Sequence, residues 1–173
     1  MPSTFEEILA RAKPREKTVM VCLAGDLAGE AERLQDELSR VSEDWEPEDL
    51  TDVHPGRAIA EQLKTVLAQA RASEEPFTFR YIGDRAYSDL VAAHPSDSPQ
   101  EMFDSVTFPR ALVAASCVQP KMTEEQVVEL FEVINEGEIK KMFDAAWDVH
   151  NASDVIPFSV AASALLASLI DAK

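Results

Sequence analysis

Two short stretches decide the fold of this chain: residues 77–82, FTFRYI, and residues 17–23, KTVMVCL. In the first, Phe77, Phe79 and Tyr81 alternate with other side chains, and this period of two is typical of a strand that buries one face. The second is rich in β-branched and other apolar residues between polar flanks, which also favours a strand. We therefore predict one strand from each stretch.

The residues between these strands carry two narrow apolar seams at helical spacing. The first seam consists of Leu27, Ala31, Leu34, Leu38 and Val41, and the second of Ile59, Leu63, Val66 and Ala70. Two such helices joined by a loop are expected to pack on each other as an antiparallel hairpin. The alternative is that each helix docks separately on a common core. Because a hairpin returns the chain to its starting point, the flanking strands should pair as a small antiparallel two-strand element.

The second half of the chain shows helical patterns only. Helices are predicted over 84–93 and 108–118, from the capping residue Thr123, from Ile139, and over 158–170. The fold class is therefore α+β and predominantly helical. Three units are predicted: a strand–hairpin–strand unit at 1–83, an all-α bundle at 84–154, and an Ala/Ser/Leu helix at 155–173. For this last helix, a loose attachment to the bundle is one of the expected arrangements.

The charge of the chain excludes some classes of partner. Asp and Glu number 32 against 16 Lys and Arg, and the net charge is −16. Residues 1–75 and residues 76–173 each carry a net −8, so the charge is not a tail. Such a surface repels phosphate, which argues against nucleic acid and anionic membranes as partners. No long apolar run or secretory signal is present and the two cysteines have no partner spacing, so a reducing cytoplasm is expected.

An acidic loop, residues 43–52, connects the two predicted hairpin helices and contains Trp45. Like charges at this density and the proline at 47 favour a solvated loop, while the spacing lacks the glycine and alternation of a calcium site. Trp45 has little core to join there. It either anchors the tip onto the hairpin or contacts a partner, since tryptophan is enriched at binding hot spots.

No catalytic, cofactor or metal motif is found in the sequence. The five glycines form neither GxGxxG nor GxxxxGK[ST], and the three histidines form no HExxH pair. Cys22 and Cys117 lie in apolar surroundings and are expected to be structural. We therefore expect a protein that is not an enzyme and needs no cofactor.

The C-terminal stretch offers a second partner-binding candidate. Its leucines, Leu165, Leu166 and Leu169, fall on one side of the predicted helix, where they need a partner surface. The helix either docks on its own domain or binds another chain through this face.

Three stretches in order, VMVCLAGDL (19–27), PFTFRYIGDRAYSDLVAAHP (76–95) and FPRALVAASCVQPKMTEEQVVELFEVINEGEIKKMFDAAWDVHN (108–151), resemble the tail assembly chaperones of long-tailed, siphovirus-type phages and prophages of actinobacteria. The resemblance covers nearly the whole chain. Its motifs are soft, namely Phe-x-Phe-Arg, Leu-x-x-x-His-Pro and Pro-x-x-Thr-x-Glu-x-x-x-x-Leu-Phe, and their order carries the specificity. Trp45 lies in the variable insertion, where nothing is carried over.

The resemblance implies a non-enzymatic role in virion assembly. Such proteins coat the hydrophobic tape-measure protein, help recruit tail-tube subunits, and leave before the tail is complete. They act in the host cytoplasm and are not expected in the mature virion. A longer form made by ribosomal frameshifting is common, so this chain would be the short form or the shared part, and association of copies is compatible with the role.

Two other functions compete with this one. An acidic protein that mimics DNA, or another phage-encoded interaction protein, would also be strongly negative. The bases Arg33, Arg40, Lys64 and Arg71 interrupt the acidic helix surfaces and weaken that reading. A small enzyme ranks last because no set of residues converges on a chemistry.

Overall fold

The computed structural model describes residues 2–43, 45–46, 49 and 52–153. These residues form a mixed α+β fold dominated by helices. The elements in chain order are α1 (Phe5–Arg11), β1 (Glu16–Cys22), α2 (Gly25–Glu43), α3 (Arg57–Ala72), β2 (Glu74–Arg80), α4 (Asp84–Ala93), α5 (Thr107–Ser116), β3 (Cys117–Gln119), α6 (Glu124–Phe131) and α7 (Glu136–Asn151).

The predicted pairing of the two strands is confirmed. Strand β1 runs antiparallel to β2, with Lys17 opposite Phe79 and Val19 opposite Phe77. The side chains of Thr18 and Thr78 meet across the pair, with their hydroxyl oxygens 2.8 Å apart. The hairpin helices therefore leave and re-enter the sheet at adjacent points.

The description of a two-strand element followed by an all-α half is wrong. Strand β3 pairs antiparallel with β2, so the sheet has three strands in the order β1–β2–β3. It occupies the end of the helix that was predicted over 108–118. Pro120 follows it, and a proline moves the preceding residue out of the helical region, so α5 ends at Ser116 and the chain continues extended. A strand of three residues is too short to show a period of two.

Strand β2 begins earlier than predicted, at Glu74, and includes a proline. Backbone hydrogen bonds from Tyr81 N to Arg15 O and from Leu23 N to Ser73 O bracket the β1–β2 pair. In an antiparallel pair, successive residues direct their backbone N–H and C=O groups alternately toward and away from the neighbouring strand. The backbone nitrogen of Pro76 is directed away from β1, so the N–H that proline lacks is not needed for the pairing with β1. Strand β3 does not reach that far along β2, so no ladder bond is lost.

The main core lies between one face of the sheet and the helices that follow β2. Its sheet side chains come from all three strands, with Cys117 supplied by β3, and its helical side chains come from α5, α6 and α7. The largest fully buried ones are Phe79, Phe108, Leu112, Met142, Val21, Val113 and Val127. Helix α7 packs directly on β1 and β2. Residues of both 1–83 and 84–154 thus share this core, and the division into units stays a prediction.

The helical hairpin has a small core of its own. Ala31 and Leu34 of α2 are buried against Val66 of α3, with Leu27, Ile59 and Leu63 packed around them. Near the other end, a Cβ placed on Gly56 would lie 2.6 Å from the Cδ1 of Leu38. These contacts join the first half of α2 to the second half of α3, and the end of α2 to the start of α3. The predicted antiparallel hairpin is therefore confirmed.

The single-faced sheet makes a quantitative prediction about Phe79. Phe79→Ala should lower the free energy of unfolding by about 3–5 kcal/mol, because it opens a cavity at a side chain with no solvent exposure. Phe5→Ala is the matched control, since Phe5 is 70% exposed and its loss should cost under about 0.5 kcal/mol. Urea denaturation followed by circular dichroism measures both, and equal midpoints would contradict this core.

Candidate partner-binding surfaces

The first partner-binding candidate from the sequence, Trp45, lies half-buried at the hairpin tip. Its ring packs edge-on against His54, with ring centroids 4.5 Å apart and planes at 61°. The Nδ1 atom of His54 in turn accepts a hydrogen bond of 2.9 Å from the backbone N–H of Gly56. Trp45 is therefore held against the start of α3. Part of it stays accessible, so its role as a contact residue stays a prediction.

The other three candidates, Leu165, Leu166 and Leu169, lie outside the described residues. Two apolar surfaces among the described residues, which sequence reasoning did not single out, are the further candidates.

The first of these surfaces is the apolar side of α1. Thr4 caps this helix in a reciprocal box with Glu7, so the helix has a well-defined start. Within the described part of the chain its apolar side chains are nevertheless exposed: Phe5, Ile8 and Leu9 are 70, 52 and 62% exposed. A helix that presents three large apolar side chains to solvent is typical of a contact element.

The second surface is a groove between α5, α6 and α7, with a volume of about 710 Å³. Its apolar residues are Val106, Pro109, Phe131, Ile139 and Phe143. We call this the α5–α7 groove. Arg110, Lys140, Glu132 and Glu136 also line it, so charges of both signs accompany the apolar side chains. This arrangement fits an amphipathic helix better than a small polar ligand.

The outer edge of β1 is covered by an ion pair from α7. The even-numbered residues of β1 direct their backbone groups away from β2. Lys141 Nζ donates to Met20 O at 3.0 Å, and Glu138 Oε2 accepts from the Cys22 N–H at 3.1 Å. Lys141 and Glu138 also pair with each other at 2.7 Å. This part of the edge is thus closed to a further strand, as edge strands commonly are.

The described residues assemble no metal-binding cluster. No group of three or more His, Cys, Asp or Glu side chains is placed to hold a metal ion there. Burial raises the pKa of the Cys117 thiol to about 11, so this cysteine is a protonated, unreactive thiol at neutral pH. The buried hydroxyl of Ser116 donates to Leu112 O at 2.6 Å and is not directed at any cavity.

One titratable side chain does link several elements. The ring of His150 stacks on Tyr87 at 4.8 Å and packs against Tyr81 at 5.3 Å. Nδ1 donates to Ala146 O at 2.7 Å, while Nε2 accepts from Ile82 N–H at 3.3 Å. The bond from the Ile82 N–H needs an unprotonated Nε2, whereas the bond from Nδ1–H to Ala146 O is retained in the protonated ring. Burial lowers the pKa of His150, which opposes protonation in the folded state.

Sequence reasoning missed the groove and the edge cover for different reasons. The groove is built from three helices, and no periodicity within one helix reveals a shape between them. The edge cover had a weak signal, because Glu138 and Lys141 stand at i, i+3, the spacing of a helical ion pair. That spacing alone does not show which strand the pair contacts.

Among the described residues, every helix is too short or too polar to cross a lipid bilayer. No protein-family model, curated protein or solved structure matches this chain.

The edge cover predicts a graded effect of substitution at Glu138. Glu138→Ala should destabilise the fold by about 1–3 kcal/mol, because it leaves the Cys22 N–H without its acceptor and removes the carboxylate that pairs with the Lys141 ammonium. Glu138→Gln keeps an acceptor oxygen and should cost less. Chemical denaturation gives the stabilities. Equal losses for the two variants would show that the hydrogen bond to Cys22 contributes nothing.

His150 predicts a pH dependence of stability. Its pKa is lower in the folded than in the unfolded chain, so its contribution is complete above the unfolded value of about 6.5 and is lost as the pH falls below it. His150→Gln should flatten the slope of stability against pH between about pH 7 and 5. Asn151→Ala, which removes a partner of Tyr87 but no titrating group, is the control and should keep the wild-type slope. Thermal unfolding across this range measures it, and parallel curves for wild type and His150→Gln would refute the prediction.

Proposed function

We propose that this chain is a tail assembly chaperone of a long-tailed actinobacterial phage or prophage. In this role it binds the tape-measure protein, helps recruit tail-tube subunits, and performs no catalysis. It acts in the host cytoplasm during assembly and is left out of the finished virion. A longer, frameshifted form of the same chain and further copies of it are the other partners that the proposal includes.

The observation that supports the proposal is apolar surface displayed on a strongly acidic chain. The α1 side chains and the α5–α7 groove expose apolar atoms, while the whole chain carries a net charge of −16. A protein that holds a long apolar helical partner in solution needs both properties. The apolar surfaces bind the partner, and the charge keeps the complex from self-association.

Several residues in the stretches that carry the resemblance have structural roles, so they do not themselves form a partner surface. Phe77 and Phe79 are buried in the main core, and Thr123 caps α6. His94 Nδ1 and the Thr107 hydroxyl lie 3.0 Å apart, which ties the end of α4 to the start of α5. These residues build a scaffold. Partner contacts are therefore expected on side chains outside the shared motifs.

The α4–α5 connection supports this view of the motifs. Asp104 accepts hydrogen bonds from the Thr107 N–H, the Thr107 hydroxyl and the Val106 N–H. These bonds lower the pKa of Asp104, and the two from Thr107 have the largest effect. Asp104 N also donates to His94 O, so the loop after His94 is closed at its base. The loop positions α5, which supplies one wall of the α5–α7 groove.

Co-expression with the tape-measure protein of the same phage or prophage tests the proposal. The wild-type chain should keep that protein in the soluble fraction and co-purify with it. Leu165→Ser, Leu166→Ser and Leu169→Ser together should reduce the soluble fraction severalfold, because the change removes apolar contact area from the partner face. Tape-measure protein that stays insoluble with the wild-type chain would overturn the function.

Two matched variants locate the contacts. Trp45→Ala tests the hairpin tip, and Leu67→Ser replaces a leucine that is 40% exposed on α3 and belongs to none of the surfaces proposed for the tape-measure protein. Loss of solubilisation with Trp45→Ala but not with Leu67→Ser would assign Trp45 to the partner face. Retention on a resin that carries a basic DNA-binding protein, without any effect on the tape-measure protein, would instead favour the DNA-mimic function.

A further inference from the structure

The helical hairpin has one face that no other described element covers. Helix α3 packs against α2 and makes no other extensive contact within the described part of the chain. A shallow hollow of about 370 Å³ on its side is lined by α3 residues alone, namely Ala60, Leu63, Lys64, Leu67, Ala68 and Arg71. Leu67 is exposed there among small side chains, so a further helix can approach α3 closely on this side.

The same face includes one side of α2. Both helices are right-handed and they run antiparallel, so residues that follow a seam residue by one position lie on the same face of the hairpin. The opposite face shows the same rule, because Glu30 and Arg33 of α2 and Thr65 of α3, which all precede a seam residue, line one hollow. We call the face formed by the following residues the hairpin face; it includes Ala28, Glu32 and Gln35 of α2, and Lys64, Leu67 and Arg71 of α3.

The two helices of the hairpin carry opposite net charges. Helix α2 contains six acidic and two basic residues, a net charge of −4. Helix α3 contains Arg57, Lys64 and Arg71 against Glu61 alone, a net charge of +2. Arg57 and Glu61 pair with each other at 3.3 Å, and Glu43 ends α2 at the margin of the hairpin face. In a chain of net charge −16, α3 therefore attracts an acidic partner.

The bases and acids nearest the hairpin face have no ionic partner within one copy. Lys64 and Arg71 stand seven residues apart on one side of α3, and neither forms an ion pair with a described residue. Glu32 and Asp36 stand one turn apart on α2 and form no ion pair there either. An acidic helix that reaches α3 from outside thus finds two free bases, and α2 offers two free carboxylates.

The register of the hairpin sets these charges at the same level. At the base, the backbone N–H of Leu23 donates to the C-cap residue of α3 at 3.4 Å. Near the tip, the side chain of Leu38 closely approaches Gly56. Lys64 is therefore about level with Glu32. In a second hairpin laid face to face on the first, with α2 over α3, the free carboxylates come next to the free bases.

We propose that the hairpin face binds the same face of a second copy of the chain, with α3 of each copy on α2 of the other. A two-fold axis parallel to the helices gives this arrangement, keeps all neighbouring helices antiparallel and forms a four-helix bundle. Lys64 and Arg71 of each copy then meet Glu32 and Asp36 of the other. The alternative two-fold arrangement, with α2 on α2, would oppose two acidic helices.

The dimer adds cover to a hairpin whose own core is small. Only Ala31, Leu34 and Val66 are buried in that core among the described residues, and the second hairpin would cover Leu67 as well. The remaining negative charge of the two copies is screened beyond about 8 Å at physiological ionic strength, so it opposes the contact weakly.

The inference deepens the proposed function, in which further copies of the chain are partners, and in that respect it rests on it. The dimer is measured with the purified chain alone, whereas the proposed function is measured with the tape-measure protein. Failure of one is therefore distinguishable from failure of the other.

Sedimentation equilibrium of the purified full-length chain tests the dimer. Between about 1 and 200 µM chain, at about 0.15 M salt, the mass should rise from that of one chain toward twice 19.1 kDa. Lys64→Glu/Arg71→Glu should raise the dissociation constant at least about tenfold, because acids then face acids. Glu32→Lys/Asp36→Lys should do the same, because bases then face bases. A wild-type chain that stays monomeric over this range would overturn the proposal.

A mixture of the two double variants gives the sharpest test. In a mixed dimer, the new acids on α3 of one chain meet the new bases on α2 of the other, and the second contact keeps its natural charges. The mixed dimer should therefore be at least about tenfold tighter than either variant with itself. Native mass spectrometry separates the three species by mass. No gain on mixing would contradict the assignment of this face.

Glu30→Lys/Glu37→Lys is the matched control for the α2 variant. It changes the charge of α2 by the same amount, but both residues precede a seam residue and lie on the opposite face. This control should dimerise at least as tightly as the wild type, because it also reduces the net negative charge. Equal weakening by the two α2 variants would show that the position of the charges is irrelevant and would overturn the proposal.

Leu67→Ser keeps the proposal testable if the charge variants fail to fold, which circular dichroism reports. This change leaves every charge in place and removes the exposed leucine of the hairpin face. It should raise the dissociation constant of the dimer at least about threefold, because less apolar surface is buried. An unchanged dissociation constant would place the contact elsewhere on the chain and overturn the proposal.

Discussion

The antiparallel pairing of β1 with β2 is the constraint on which the rest of the structure depends. It joins residues that are about sixty positions apart in the chain, such as Val19 and Phe77, and closes the base of the helical hairpin. It also gives the sheet two unlike faces. The face with Val21 and Phe79 is apolar and needs cover, while the face with Thr18 and Thr78 is polar enough to remain in water. Helix α7 supplies that cover, and its Glu138 and Lys141 close the outer edge of β1 at the same time.

The two clusters of buried residues divide the molecule into parts of different packing. The main core joins large side chains of the sheet, α5, α6 and α7, and includes fully buried Phe79 and Phe108. The hairpin core contains only Ala31, Leu34 and Val66 as buried residues, so the hairpin has little apolar area to stabilise it. Its tip is held by Trp45, His54 and the close approach of Gly56 to Leu38. The exposed apolar side chains of α1 lie outside both clusters, whereas Phe131 and Phe143 of the α5–α7 groove pack against the main core.

Much of the fold was predictable because it follows from repeated local patterns. A period of two predicted most of β2, a run of β-branched and other apolar residues predicted β1, and narrow helical seams identified the hairpin that connects them. Strand β3 was missed because three residues cannot show a period of two. The beginning of β2 was missed because a proline argues against a strand, and only the tertiary structure shows that β3 does not pair with β2 at Pro76. The candidate site was less predictable. Trp45 was recognised by its residue type, whereas the groove depends on how three helices meet.

The sequence by itself determined which faces of the strands and helices are apolar, where most of those elements begin and end, and that the hairpin strands must be neighbours. Side-chain periodicity and turn residues act over a few positions, and these properties are local. Only the tertiary structure decided that a third strand joins β2, that α7 covers the edge of β1, and that apolar surface on α1 and in the α5–α7 groove stays open. Those outcomes depend on which surfaces compete for contact after the elements have formed, and distances between elements are not encoded in any one segment.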